Sequence, residues 1–256
     1  MTLESLLAAS VIDSAVHELR PDYVVLLIAA EGLPGGDSDE RSSSWLAAAE
    51  TTAATRLSEA SADERPQVVL WRDAYRAFGA KPQRTRNSLE ALLRRVPDGL
   101  PRINRLTDLY NAVSVLHEVP VGGEDLARYA GAPRLIRASG AEPFETTVEG
   151  NAVVDHPEPG EVVWADDAGV TCRRWNWRQC SRTQLSPATR KALFIVDALG
   201  SDALAVATAA GDDLEQRLRA LDPAVRTVTR LLADPGRLAG LPPAASGAAA
   251  RRAPTE

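Results

Sequence analysis

Val162-Val163-Trp164-Ala165, then Asp166-Asp167-Ala168-Gly169, then Val170-Thr171-Cys172-Arg173-Arg174-Trp175-Asn176-Trp177 is the stretch on which the fold turns. Two runs rich in β-branched and aromatic residues flank four residues of turn chemistry, which is the pattern of an antiparallel hairpin. Leu135-Ile136-Arg137-Ala138 before it and 193–196 after it are also strand-like. Upstream, Tyr23-Val24-Val25-Leu26-Leu27-Ile28 is an unbroken apolar run of the kind found in a strand buried on both faces, within a strand pair or helix–strand unit at 11–31.

Helical periodicity fills the space between these strands. Residues 44–60 are Ala-rich, with Trp45, Ala48, Ala49 and Leu57 able to share a face after a turn region at 33–44. Residues 68–78 carry Leu70, Ala74, Ala77 and Phe78 at helical spacing, and Gly79 ends the run. Asn87-Ser88 caps a short helix at 89–96, and 103–116 shows a stripe of Ile103, Leu106, Leu109, Tyr110, Val113 and Leu116. Gly122-Gly123-Glu124-Asp125 is expected to turn. Residues 202–221, broken at Gly211, and 224–233 return to helix. The order predicts an α/β (α+β) fold: a mixed, largely antiparallel sheet with flanking helices. One domain over 1–234 is expected, with a disordered Ala-, Pro- and Gly-rich tail at 235–256.

Composition narrows the function classes. The 256 residues are 45% hydrophobic and 25% charged, with a formal net charge of −6. An acidic body argues against coating DNA, but it leaves room for one basic patch. Such a patch exists, since no Asp or Glu occurs between Cys172 and Lys191. Arg173, Arg174 and Arg178 there surround Trp175, Asn176 and Trp177, and arginine beside indole suits an anion joined to a flat group. In a continuous strand, Arg173, Trp175 and Trp177 would face one side and Cys172, Arg174, Asn176 and Arg178 the other. Core tryptophans with rim arginines are the competing reading.

A second basic region holds Lys81, Arg84, Arg86, Arg94 and Arg95 around a helix start, a place that receives phosphate. Two cysteines eight positions apart form neither a zinc pair nor a disulfide framework. No metal or cofactor is expected, and the common nucleotide, hydrolase and zincin motifs are missing from the sequence. No apolar run approaches the roughly twenty residues that span a bilayer, and no secretory signal is evident, so a cytoplasmic location is expected. Asn104, Asp108 and Asn111 share a helical face that Ser114 extends, either a pocket wall or a buried hydrogen-bond network.

Five segments taken in order carry a family resemblance. They are residues 86–95 (Arg-Asn-Ser-Leu-Glu-Ala-Leu-Leu-Arg-Arg), Leu100-Pro101-Arg102-Ile103-Asn104, Asp108-Leu109-Tyr110-Asn111-Ala112-Val113-Ser114, Pro120-Val121-Gly122-Gly123-Glu124-Asp125, and 173–178 (Arg-Arg-Trp-Asn-Trp-Arg). Together they resemble the B3/B4 domain of the phenylalanyl-tRNA synthetase β subunit and its freestanding relatives, over roughly residues 11–220. The resemblance implies an α/β fold whose pocket hydrolyses tyrosine wrongly attached to the tRNA for phenylalanine. Asn104, Asp108 and Asn111 are similar to the synthetase pattern Asn-x-x-x-Asp-x-x-Asn. Pro120 to Asp125 is similar to the synthetase's following Pro-x-His-x-x-Asp element, with Gly122 standing where that element has histidine, so no histidine is carried over.

The expectation is a trans-editing hydrolase acting on the aminoacylated 3′ end of a tRNA. Glu124 would be its base or amine anchor, with Asn104 and Asp108 beside it. Asn111, Ser114, Gly122, Gly123, Trp175, Asn176 and Trp177 would contact the aminoacyl-adenosine, and Lys81, Arg84, Arg86, Arg94, Arg95, Arg173, Arg174 and Arg178 the phosphates. A non-catalytic module for tRNA or an amino-acid-like ligand is the alternative, and a small-molecule esterase the third reading.

Overall fold

The computed structural model describes residues 1–238. In chain order its elements are α1 (Leu3–Ala9), β1 (Val11–Ile12), α2 (Ser14–Leu19), β2 (Val24–Glu31), α3 (Glu40–Glu59), α4 (Pro66–Ala77), α5 (Ser88–Leu93), α6 (Arg105–His117), β3 (Val121–Asp125), β4 (Arg134–Arg137), β5 (Phe144–Val148), β6 (Asn151–Asp155), β7 (Val162–Asp166), β8 (Gly169–Arg173), β9 (Arg178–Gln179), β10 (Lys191–Ala198), α7 (Ala203–Leu221), β11 (Arg226–Ala233) and α8 (Pro235–Leu238). One sheet has the order β11-β2-β10-β3, a second β1-β4-β7-β8-β9, and β5-β6 is a separate hairpin. Among the described residues every strand pairing is antiparallel except β1 with β4. The mixed, largely antiparallel architecture read from the sequence is the one observed.

β2 lies at the heart of the molecule, and its alternation divides the interior. Val24, Ile28 and Ala30 join a core beneath α6 and α7. Val25, Leu27 and Ala29 face the other way, into a core shared with Leu135, Trp164 and Trp175. A strand buried on both faces has no polar face to display, which is why its sequence is a continuous apolar run. The hairpin of β7 and β8 forms through Asp166, whose carboxylate accepts the N–H groups of Ala168 and Gly169.

Several elements differ from expectation. Residues 224–233 contribute strand β11 instead of helix, because Thr227, Val228 and Thr229 complete β2's ladder on its open side. Gly122-Gly123-Glu124-Asp125 is not a turn but most of edge strand β3, paired with β10. α3 starts at Glu40, inside the expected turn region, on a capping box of Asp39 and Ser42. Its buried side is Ser42, Leu46, Ala49 and Ala53, whereas Ala48 is exposed. α4 buries Val68, Trp71, Ala74 and Tyr75, leaving Ala77 exposed. Ile103 precedes α6 and is exposed. α7 runs unbroken through Gly211, where a side chain would press on Leu26 of β2, so the glycine serves close helix–sheet packing. Of the expected tail, 235–238 is helical and the remainder lies outside the described residues.

The largest departure follows Arg173. The strand expected over 170–177 stops there, and Arg174 and Trp175 adopt left-handed backbone, with φ of 49° and 68°. Trp175 N–H donates to the Val162 carbonyl at 2.7 Å and Trp177 N–H to that of Arg173 at 3.1 Å. The turn drives the Trp175 indole into the interior, with ring centroids 4.9 Å from Tyr23 and 5.3 Å from Trp71, both edge-on. Trp175→Ala is therefore expected to cost about 3–5 kcal/mol in a denaturant melt, and Trp177→Ala about 1 kcal/mol or less.

Candidate functional site

A cavity of about 290 Å3 opens between the edge strand β3, helices α5 and α6, and the turn after β8. Gly122, Gly123 and Glu124 form one wall and Tyr110 and Asn111 another. Trp164, Cys172, Ile195 and Asp197 line its interior, with Ser88, Arg95, Asn176 and Trp177 also on its surface. The turn is tied to α5 by a hydrogen bond from Ser88 N–H to the Asn176 carbonyl, 3.0 Å, which brings together residues 88 positions apart in sequence.

Glu124 is the chemically distinctive group. Its side chain is 2% exposed and accepts the Tyr129 hydroxyl. Burial pushes its pKa up to about 7, against the downward pull of Tyr129 and Thr171. Asp197, also 2% exposed, is pushed up to about 7 by burial too. It accepts the Tyr23 hydroxyl at 2.5 Å. Trp164 Nε1 and Asn176 Nδ2 face it and favour its charged form, yet neither reaches hydrogen-bond geometry with a partner among the described residues. Burial lifts the Cys172 thiol well above its ordinary range, so it is not poised as a thiolate nucleophile.

The expected site residues separate into two groups. Asn111, Gly122, Gly123, Glu124, Asn176 and Trp177 line the cavity, and the Asn111 amide has no hydrogen-bond partner among the described residues. Trp175 also borders the cavity, but it is fully buried and packed edge-on, so it is no open platform for a base.

Asn104, Asp108 and Ser114 do not line it. Asn104 caps α6 by accepting Thr107 N–H at 2.9 Å, and it donates to the Leu185 carbonyl. Asp108, fully buried, accepts Ser42 Oγ at 3.0 Å and Ile103 N–H at 2.9 Å. Ser114 Oγ donates to the Val119 carbonyl at 2.7 Å, closing the C-terminal end of α6. Of the polar α6 face, only Asn111 reaches the cavity; the others fix the helix that carries it.

The cations separate likewise. Arg173 is buried in a pair with Glu161 at 2.9 Å and Asp155 at 2.6 Å, which withdraws it from any RNA-facing role. Arg174 lies 3.5 Å from Glu161 and stacks on Trp177, its guanidinium 4.5 Å from the ring centroid. Arg86 and Arg94 converge with Arg72 on the fully buried Glu90, so they act first as its counter-charges. Lys81, Arg84, Arg95 and Arg178 are exposed and have no carboxylate within 4.0 Å among the described residues. Arg178 stacks beside Trp177 at 5.6 Å.

Sequence reasoning missed Asp197, Tyr110, Tyr129 and Trp164. Asp197 did leave a signal: a lone acid closing the apolar run Leu193-Phe194-Ile195-Val196, at a place where strand β10 is still buried. Tyr129 left none, because its contact with Glu124 depends on the chain path after β3.

The chain matches the B3/4 domain family over residues 70–233 and belongs to that family. Among solved structures it is similar to an N-terminal fragment of the phenylalanyl-tRNA synthetase β-subunit from Pyrococcus horikoshii, at 13% identity and a TM-score of 0.40. That likeness covers 80% of this chain and 48% of the fragment, so the chain spans about half the fragment's length. No curated protein matches. Among the described residues no helix is long and apolar enough to cross a membrane.

Both raised carboxyls carry a stability consequence with a defined sign. Each has a folded pKa near 7, above its unfolded value near 4, so folding favours the protonated form. Their contribution is fully present below about pH 4 and is lost as pH rises through 7. Glu124→Gln and Asp197→Asn should leave Tm close to wild type at pH 4 and raise it at pH 8. The expected gain is on the order of 1–3 kcal/mol, or roughly 2–4 °C per kcal/mol, measured by melts across pH.

Proposed function

We propose that this protein is a trans-editing hydrolase that cleaves the ester between an amino acid and the 3′ end of a tRNA. The observation that carries the reading is Glu124: a carboxyl buried in the wall of an amino-acid-sized cavity, with its pKa near 7. A base of that pKa is about half ionised at neutral pH, where proton transfer is most effective. Family membership and the resemblance carried by the five sequence segments support an aminoacyl ester as the substrate.

In this reading the ionised Glu124 takes a proton from a water molecule as its oxygen bonds to the ester carbonyl carbon. The Asn111 amide, which has no other hydrogen-bond partner among the described residues, donates to the carbonyl oxygen as it becomes an oxyanion. The tetrahedral intermediate then breaks its bond to the ribose oxygen, which takes the proton back from Glu124. Free amino acid and uncharged tRNA leave. Arg95, Arg178, Arg84 and Lys81, which have no carboxylate partner among the described residues, supply cations for the terminal phosphates, and Trp177, backed by Arg174, supplies an aromatic surface. No cofactor enters this sequence of steps.

A second reading, a non-catalytic binder of aminoacylated tRNA, is favoured by one observation. The Tyr129 hydroxyl occupies Glu124 Oε2, as it would if the acid were held for binding alone.

Deacylation of a panel of mischarged tRNAs separates the two. Hydrolysis is expected, with kcat/KM rising through a midpoint near pH 7 and falling about 10²–10⁴-fold in Glu124→Gln. Saturable tRNA binding without turnover across the whole panel would leave only the binder. A salt-independent affinity would remove tRNA as the partner altogether.

A further inference from the structure

Gly122 and Gly123 are adjacent in β3, and neither has left-handed backbone. They are glycines for different reasons. A methyl group on Gly123 would lie 2.8 Å from side-chain atoms of both Leu185 and Tyr110, so the fold itself excludes one. A methyl group on Gly122 would, its chain neighbours aside, have no heavy atom of the described residues within 4 Å. Nothing in the packing requires glycine there, and glycine inside a strand weakens it.

The register places this vacancy. Glu124 is opposite Leu193 and Gly122 opposite Ile195, while Asp197 N–H donates to the Pro120 carbonyl. Alternation puts Glu124, Gly122, Ile195 and Asp197 on one face. Gly122 therefore lies between the two buried acids, which sit at opposite ends of a stretch of β10 roughly 13 Å long. A side chain at 122 would stand across the trough connecting them.

We infer that Gly122 is a specificity-determining residue: its missing side chain keeps the trough open so that a large amino-acid side chain passes from the ester at Glu124 toward Asp197. The inference rests on the aminoacyl-ester reading above and adds selection by size to it. Small side chains would reach no farther than Gly122 and gain nothing from the deeper walls of Trp164 and Ile195. In place of the histidine of the resembling synthetase pattern, this chain presents open volume.

The test uses full-length wild type, Gly122→Ala, Gly122→Val and Gly123→Ala, with 3′-aminoacylamido-adenosines as non-hydrolysable probes. The probes carry glycyl, alanyl, valyl, leucyl, phenylalanyl, tryptophanyl and arginyl groups, and calorimetry reads their affinities. Wild type is expected to bind the large-side-chain probes best. Gly122→Val should weaken those by about tenfold or more, while changing the glycyl and alanyl probes by less than about threefold. Both Gly122 variants should melt at or above wild type, and Gly123→Ala below it. An unchanged rank order in Gly122→Val would overturn the inference and leave the aminoacyl reading standing. So would a melting temperature several degrees below wild type, since glycine would then be structural. Failure of wild type to bind any probe would remove the aminoacyl reading, and this inference with it.

Discussion

The inward turn at Arg174 and Trp175 is the constraint on which the site depends. Two consecutive non-glycine residues with positive φ are unfavourable, by about 1–3 kcal/mol each. The surrounding structure holds them there. Trp175 buries its whole side chain among Tyr23 and Trp71, and Arg173 just before it is locked by Glu161. The Glu161 carboxylate also accepts the Arg174 backbone N–H at 3.1 Å, so one acid secures both sides of the bend. If the strand had continued straight, Trp177 and Asn176 would not border the cavity, and α5 would lose its anchor on the Asn176 carbonyl.

The same turn sorts the charges. An Arg-Trp cluster that looks uniform in sequence becomes two populations. Arg173 and Trp175 are consumed by the interior; Arg178 and Trp177 remain outside, with Arg174 stacked between ion pair and indole. On a chain of net charge −6, a few cations with no carboxylate partner among the described residues make a local field, not a general affinity for polyanions. They come from the 81–95 segment and from Arg178, which opens β9 after the turn; the Ser88–Asn176 hydrogen bond joins that turn to α5.

Features with one strong local cause were legible in the sequence. The β7–β8 hairpin was marked by its turn residues, β2 by its unbroken apolar run, and α6 by its periodicity. The failures share a different cause, which is tertiary override of local pattern. The Arg226–Ala233 segment has leucines and arginines that suit a helix, but β2 offers an unpaired edge that takes it as a strand. Two glycines before two acids resemble a turn until β10 pairs with them. Gly211 resembles a helix breaker until Leu26 is seen against it. Of the residues expected at the site, Asn111, Gly122 and Glu124 line the cavity. Sequence could not separate Asn111 from Asn104 and Asp108, because all three share a helical face; only their neighbours Leu185 and Ser42 decide which are structural.

Glu124 and Asp197 oppose the stability of the fold that holds them. Each must be protonated, or must pay for desolvation of its charge, across much of the neutral range. Hydrophobic residues of similar size would pack these walls without that penalty. The structure instead invests a hydroxyl in each acid, from Tyr129 and Tyr23 respectively, enough to moderate the pKa but not to restore it. The flanking donors at Asp197 stop short of hydrogen bonding, and the glycine between the two acids leaves its side-chain space empty. Unsatisfied donors, destabilised acids and unfilled volume each weaken a folded core when taken alone. Found together on one cavity wall they support the proposed reading, in which that wall complements a bound molecule.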